Sequence, residues 1–408
     1  MKNRTVELLS PAGNLEKLKF AINYGADAVY CGYKQFGLRS RAGNLDKDEY
    51  IEALKFTHKS KRKLYLTLNS YLFDKEVDEF IDFLKFLNNY PPDAVLVSDL
   101  GVLNLVNEFS KIPVHISTQA NITNSFAANL LKRYRVERVV LARELTVEDI
   151  KRFRKNTDLE LEAFVHGAMC MSYSGRCFLS AYLTGRSANA GDCAQSCRWR
   201  YTVIEEKRPS KPLEVEEHPE GTFIFNSCDM CALPILDELI NAGVSSLKIE
   251  GRMKSVYYVA ITTAIYRDAI DTILSGKDFK DKMDFYMREL RKVSHRPYSL
   301  GFYKGKPEQY LKSSGYIRNC KFNGVVLDKD GKFYKVGIRN RFEKGEYEIF
   351  SANLDVRKVV IDEMYDEEFR EKSYGNPNEI VYIKIPGKVE KFSLIRRCNE
   401  SNSRQNEV

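Results

Sequence analysis

Eight short strand-like runs, most of them carrying Val, Leu or Ile, recur along the first two-thirds of the chain, at residues 6–9, 28–32, 63–68, 94–98, 114–117, 138–141, 159–166 and 246–250. Nearly all are separated by stretches whose apolar residues fall at helical spacing. Strands alternating with helices build parallel sheets with the helices packed outside. Eight such units predict an α/β fold, a (β/α)8 TIM-type barrel. This topology also constrains function, because barrels of this type collect their functional groups at the C-terminal ends of the strands.

The rhythm breaks once. The segment between the seventh and eighth strands is too long for one crossover helix, so about 167–232 is expected to be a cysteine-rich insertion on the active face. Its charged stretch, 205–220, reads as a solvated excursion. Helical patterns at 256–274 and 280–293 follow the last strand. From about 296 the texture changes to alternating runs broken by Asn323-Gly324 and Asp330-Gly331, which are hairpin signals. The expected organisation is a barrel over 1–295, a small C-terminal antiparallel β domain over 296–398, and a flexible polar tail over 399–408.

Composition narrows the class. Of the 408 residues, 43% are apolar and 29% charged, which excludes a wholly disordered, collagen-like or coiled-coil chain. Sixty-four Lys and Arg against 56 Asp and Glu give a net charge of +8. That permits a nucleic-acid partner without requiring one. The N-terminus lacks a signal-peptide pattern, and no apolar run approaches the ~18 residues of a membrane span. The expectation is a cytoplasmic protein with no membrane partner.

Six of the nine cysteines, Cys170, Cys177, Cys193, Cys197, Cys228 and Cys231, fall in or beside the insertion. In a reducing compartment such clustering argues for metal or redox chemistry. Thiolates select zinc or iron–sulfur clusters, and four suffice for either. The pairs Cys193/Cys197 and Cys228/Cys231 can be read as zinc spacings, but Cys170 and Cys177 then go unexplained. Spacing alone leaves both metals open. The plainer alternative is that these are small buried core residues.

The stretch Glu162-Ala163-Phe164-Val165-His166-Gly167-Ala168-Met169-Cys170, continuing through Gly175-Arg176-Cys177-Phe178-Leu179-Ser180, resembles the signature of the collagenase-like peptidase family U32. Further matching landmarks are Glu7 to Gly13, Arg41-Ala42-Gly43-Asn44, and Ser246-Leu247-Lys248-Ile249-Glu250-Gly251-Arg252-Met253-Lys254. The resemblance covers about 5–270 and extends loosely into the C-terminal domain. It implies RNA hydroxylation more than proteolysis, since the family includes prephenate-dependent proteins that make 5-hydroxyuridine at the tRNA wobble position. It also implies a 4Fe–4S cluster on Cys170, Cys177, Cys193 and Cys231, with Cys197 as an alternative fourth ligand and Cys228 unmatched. Zinc is the alternative metal. Implied partners are tRNA, a prephenate-like acid and, in some members, a second family protein.

Polar residues expected at the barrel mouth are Glu7, Ser10, Asn69, Ser98, Gln119, Arg143, Glu144, His166, Glu250 and Arg252. Arg143 and Arg252 are the candidates for gripping carboxylates, since guanidinium binds them bidentately. Asn69 and Gln119 are candidate substrate contacts. His166 and Glu250 are candidates for proton transfer, although a lone His166 can equally be a structural hydrogen-bonder. The run Arg198-Trp199-Arg200 could stack a splayed base and hold phosphate, or Trp199 could be a core residue. The Lys- and Arg-bearing β domain is a second place for RNA contact.

Two other function classes stay open. A peptidase would use His166 with Cys170, since no H-E-x-x-H helix or G-x-S-x-G elbow is present. A noncatalytic iron–sulfur scaffold would act through a partner chain.

Overall fold

The computed structural model describes residues 5–37, 43–169, 179–186, 193–194, 196–198, 228–305 and 316–398. The strands of its larger sheet are β1 (Glu7–Ala12), β2 (Ala28–Gly32), β3 (Lys63–Leu68), β4 (Ala94–Val97), β5 (Val114–Ile116), β6 (Val136–Val140), β7 (Glu160–Ala168), β8 (Asp229–Cys231), β9 (Ser246–Ile249) and β10 (Tyr298–Ser299). Strands β1 to β7 pair parallel in sequence order, and β9 pairs with both β7 and β1. The eight expected strands therefore close into the expected barrel. Strands β2 and β4 are buried along their whole length, as parallel strands covered on both faces must be.

Helix starts carry their own signals. Asp46 and Glu49 form a reciprocal capping box, as do Thr146 and Asp149. Ser255 caps the long helix Val256–Leu274, whose residues are mostly buried. A helix apolar on nearly every side must be covered on every side.

Two short strands lie outside the eightfold rhythm. β8 runs antiparallel to the end of β7, with His166 opposite Cys231 and Ala168 opposite Asp229. β10 then pairs parallel with β8. The chain on either side of the insertion is thus joined at the top of β7.

The barrel interior holds a charged layer near its N-terminal end. Arg138 of β6 contacts Glu7 at 2.5 Å, Glu160 at 2.6 Å and Glu162 at 3.2 Å. Tyr65 donates to Glu7 at 2.6 Å, and Ser246 donates to the other oxygen of Glu7 at 2.9 Å. Glu7 opens β1, so it belongs to this floor and not to the mouth, where the sequence reading places it. That reading misjudges which end of the strand Glu7 occupies, because β1 extends to Ala12.

The C-terminal domain comprises β11 (Cys320–Asp330), β12 (Phe333–Ile338), β13 (Phe342–Glu343), β14 (Gly345–Phe350), β15 (Val356–Ile361), β16 (Met364–Tyr365), β17 (Tyr374–Gly375), β18 (Ile380–Ile383) and β19 (Leu394–Cys398). Seven of them form an antiparallel sheet in the order β15-β14-β19-β11-β12-β18-β16. A disulfide joins Cys320 and Cys398, register partners at the ends of β11 and β19. The domain is fixed to the barrel through Arg396. This fully buried guanidinium reaches Glu289 at 2.6 Å, Glu348 at 2.8 Å and the Tyr257 hydroxyl at 3.2 Å.

Candidate active site

The mouth is assembled from the residues that follow the strands. Arg143, in the loop after β6, places its guanidinium carbon 3.9 Å from the ring centroid of Phe164 on β7. Its Nη2 lies 3.8 Å from the Glu250 carboxylate, just past β9. The Tyr30 hydroxyl, from β2, donates to the Ile249 carbonyl at 3.0 Å and lies 3.4 Å from Glu250 Oε2. The side chains of Arg143 and Glu250 are 9% and 13% exposed, so the pair lies largely out of water. Charges so placed interact more strongly than they would in water.

Arg252 donates to Thr67 Oγ1 at 3.2 Å and to Asn44 Oδ1. This packing explains Gly32: a Cβ there would fall 2.9 Å from the Arg252 guanidinium carbon and 2.7 Å from Asn44 Oδ1. Asn69 donates to Gln119 Oε1 at 2.5 Å, linking the loops after β3 and β5. Four strand ends therefore bring Asn69, Gln119, Arg143, Glu250 and Arg252 to the mouth.

One deeper residue escapes the sequence reading. Lys248 sits on β9 two positions before Glu250, so strand alternation puts both side chains on one face. Its Nζ is 2.7 Å from Glu162 Oε1 and 4.4 Å from the centroid of Tyr30. Burial pushes the Lys248 pKa down, against the pull of Glu162. The signal was available in the motif that contains Glu250, but a lysine inside a strand ordinarily reads as solvent-facing.

His166 is placed differently from expectation. Its carbonyl accepts from the Glu250 amide at 2.8 Å, so the two backbones are neighbours. A register irregularity between Phe164 and His166 changes the alternation of β7. The His166 ring then lies among Tyr258, Tyr266 and Tyr298, with Nδ1 3.3 Å from the Tyr266 hydroxyl. Burial, reinforced by Lys254 and His295, lowers its pKa to about 3. The imidazole is neutral, and its side chain enters a different environment from that of Glu250.

Of the expected metal ligands, Cys231 is buried on β8, with Sγ 3.8 Å from the Tyr266 hydroxyl. Burial raises its thiol pKa to about 11. Cys193 is exposed, and Cys197 and Cys228 are half-buried. Cys170, Cys177, Trp199 and Arg200 lie outside the described residues, and Arg198 is described only as the end of the turn Ser196–Arg198. Among the described residues, no three Cys, His, Asp or Glu side chains converge to hold a metal ion. No described helix is long and apolar enough to cross a membrane.

Beside the mouth is a cavity of about 470 Å³. It shares Glu250 and Ala168 with the barrel and takes Tyr316, Arg318, Cys320 and Phe322 from the start of the C-terminal domain.

A closed (β/α)8 barrel with a polar mouth, an insertion after its seventh strand and an appended antiparallel domain defines the class of protein. The chain belongs to peptidase family U32: residues 13–313 match Peptidase family U32, and residues 318–396 match the Peptidase family U32 C-terminal domain. It is 35% identical over 399 residues to tRNA hydroxylation protein P1 of Bacillus subtilis, covering 96% of this chain and 94% of that one. It is 45% identical over 303 residues to the uncharacterized protease MJ0090 of Methanocaldococcus jannaschii, covering 73% of each. It is 30% identical over 370 residues to a collagenase of Porphyromonas gingivalis, covering 87% of this chain and 86% of that one. The family resemblance read from the sequence is therefore correct.

Proposed function

We propose that this protein is an RNA-modifying enzyme that hydroxylates the tRNA wobble uridine to 5-hydroxyuridine, with a prephenate-like acid as required metabolite. The observation that carries the reading is the near end-to-end match to a tRNA hydroxylation protein, which spans barrel and β domain together. The mouth is chemically suited to the task. Arg143 and Arg252 offer two guanidinium groups for carboxylates, and the bonds of Arg252 to Asn44 and Thr67 hold it in place before ligand arrives. Glu250, beside Tyr30, is the group positioned to hold or move a proton. His166 is reassigned in this account: a buried imidazole with a pKa near 3 orients Tyr266 and does not cycle a proton at neutral pH.

The insertion would hold a 4Fe–4S cluster on Cys170, Cys177, Cys193 and Cys231, with Cys197 as the alternative fourth thiolate. Soft thiolates are the donors such a cluster takes, and Cys231 stands on β8, which pairs with the end of β7 just before Cys170 in the chain. When bound, such a cluster supplies one-electron redox chemistry or polarises a substrate oxygen, whereas zinc would supply only the latter. Arg198, Trp199 and Arg200 would then contact RNA, and a second family protein could complete the complex.

Two outcomes test this reading. Nucleoside mass spectrometry of tRNA from cells lacking the protein should show 5-hydroxyuridine lost. Unchanged nucleosides, together with cleavage of collagen peptides by the purified protein, would replace the proposal with the peptidase reading.

A further inference from the structure

We propose that the cavity between the barrel and the C-terminal domain seats one nucleotide of the substrate RNA, and that the RNA backbone continues from it across the outer face of β11 and β19. This rests on the RNA-modification reading and names where the nucleic acid lies. The cavity's volume, about 470 Å³, falls in the range that accepts a small organic ligand. One wall carries cations: Lys254 stands 4.2 Å from the centroid of Tyr316, with Asp229 at 3.8 Å on its other side, and Arg318 also lines the cavity. Another is aromatic: the half-buried ring of Phe322 lines the cavity and stacks at 5.2 Å on the buried ring of Tyr257. A phosphate on the first wall and a ring against the second describe a nucleotide.

Length distinguishes RNA from a small acid. Lys321 and Arg397 are register partners directly opposite one another, immediately inside the Cys320–Cys398 pair. Like charges facing across a sheet are destabilising. Glu343, whose carboxylate feels both, is itself bound to Arg341 at 2.6 Å. Strand alternation puts Lys321 on the face of β11 away from the cavity residues Cys320 and Phe322, and Arg397 lies over Tyr347 while donating to the Glu346 carbonyl, so the pair offers positive charge to a polyanion that passes around the strands and not to a small anion held in the cavity.

The test uses the full-length protein and an RNA hairpin with a uridine-containing single-stranded loop, titrated over a salt series. A single-strand phosphate contact contributes a slope of about 0.7 in log affinity against log salt. The double variant Lys321→Gln/Arg397→Gln should lower the slope by about 1.4, twice that value. Lys329→Gln, at the far end of β11, should leave it unchanged. Uridine 5′-monophosphate should compete for the cavity severalfold better than uridine, and Arg318→Gln should abolish that difference. Equal slopes in wild type and the double variant would overturn the proposal. So would displacement of the probe by a free dicarboxylic acid but not by the nucleotide, which would assign the cavity to the acid. Wild-type protein that binds no RNA would instead overturn the RNA-modification reading itself.

Discussion

Lys248 Nζ lies 2.7 Å from Glu162 Oε1, and both side chains are almost completely buried. Two charges withdrawn from water are tolerable only as a satisfied pair, so each depends on the other. Glu162 also lies 3.2 Å from Arg138, which ties the pair to the carboxylates of Glu7 and Glu160. The mouth residues Glu250 and Arg143 stand directly on this layer through Tyr30 and Phe164.

Breaking the pair should therefore destabilise the barrel. Lys248→Met leaves Glu162 facing Arg138 but removes one of its two cations, and about 3–5 kcal/mol should be lost. Denaturant unfolding of Lys248→Met, Glu162→Gln and the double variant measures this. The double variant should be less damaged than the sum of the singles, because each single strands the partner's charge and the double removes both. Additive losses would show that the two side chains do not act as a pair.

Glu250→Gln and Arg143→Lys should act on activity instead. Both side chains keep about the same volume and sit at the mouth, not in the core, so the melting temperature should move little. Product formation should fall roughly 100-fold or more for Glu250→Gln if its carboxylate moves the proton. Arg143→Lys should mainly raise the acid concentration needed, since a lysine cannot reproduce a bidentate grip or the stacking on Phe164. Activity of Glu250→Gln equal to wild type would remove Glu250 from the chemistry.

The floor of the barrel sets an acid limit. Burial opposes ionisation of Glu7, but Arg138 and the hydrogen bonds from Tyr65 and Ser246 outweigh it and hold its pKa below the usual value. A carboxylate with a depressed folded-state pKa contributes stability above its unfolded pKa, about 4.3, and loses it as pH falls through the folded value. Thermal unfolding followed from pH 7 down to pH 3 should show wild type losing stability below about 4.3. Glu7→Gln should be less stable at pH 7 and flatter over the acid limb. Parallel curves would mean that Glu7 does not carry this dependence.

Metal analysis separates the two readings of the cysteines. Anaerobically purified protein should contain about four iron and four acid-labile sulfide per chain, the content of a 4Fe–4S cluster. Cys177→Ala should lose both. One zinc and no sulfide would leave a Lewis-acid or structural site in place of a redox cluster.

The barrel was legible because each of its strands announces itself locally: β2 and β3 begin and end where the strand-like runs do. Asn69, Gln119, Arg143, Glu250 and Arg252 were legible for the same reason, since a residue that follows a strand in this fold faces the mouth. What depended on pairing between distant residues was not. The irregularity at Phe164/His166 arises from the register of β7 against β9, and nothing in the local sequence marks it. Cys320 and Cys398 are 78 residues apart and meet only because β11 and β19 are sheet neighbours. Nothing local marks Arg138 and Lys248 as interior cations; the closed barrel turns them inward.

The most direct test of the whole account is the 5-hydroxyuridine content of tRNA from cells whose only copy of the protein is either wild type or Cys170→Ala. The account predicts the modified nucleoside in the first and its loss in the second, with the variant protein present at comparable level. Equal amounts in both would contradict a thiolate-dependent RNA hydroxylation at this barrel mouth.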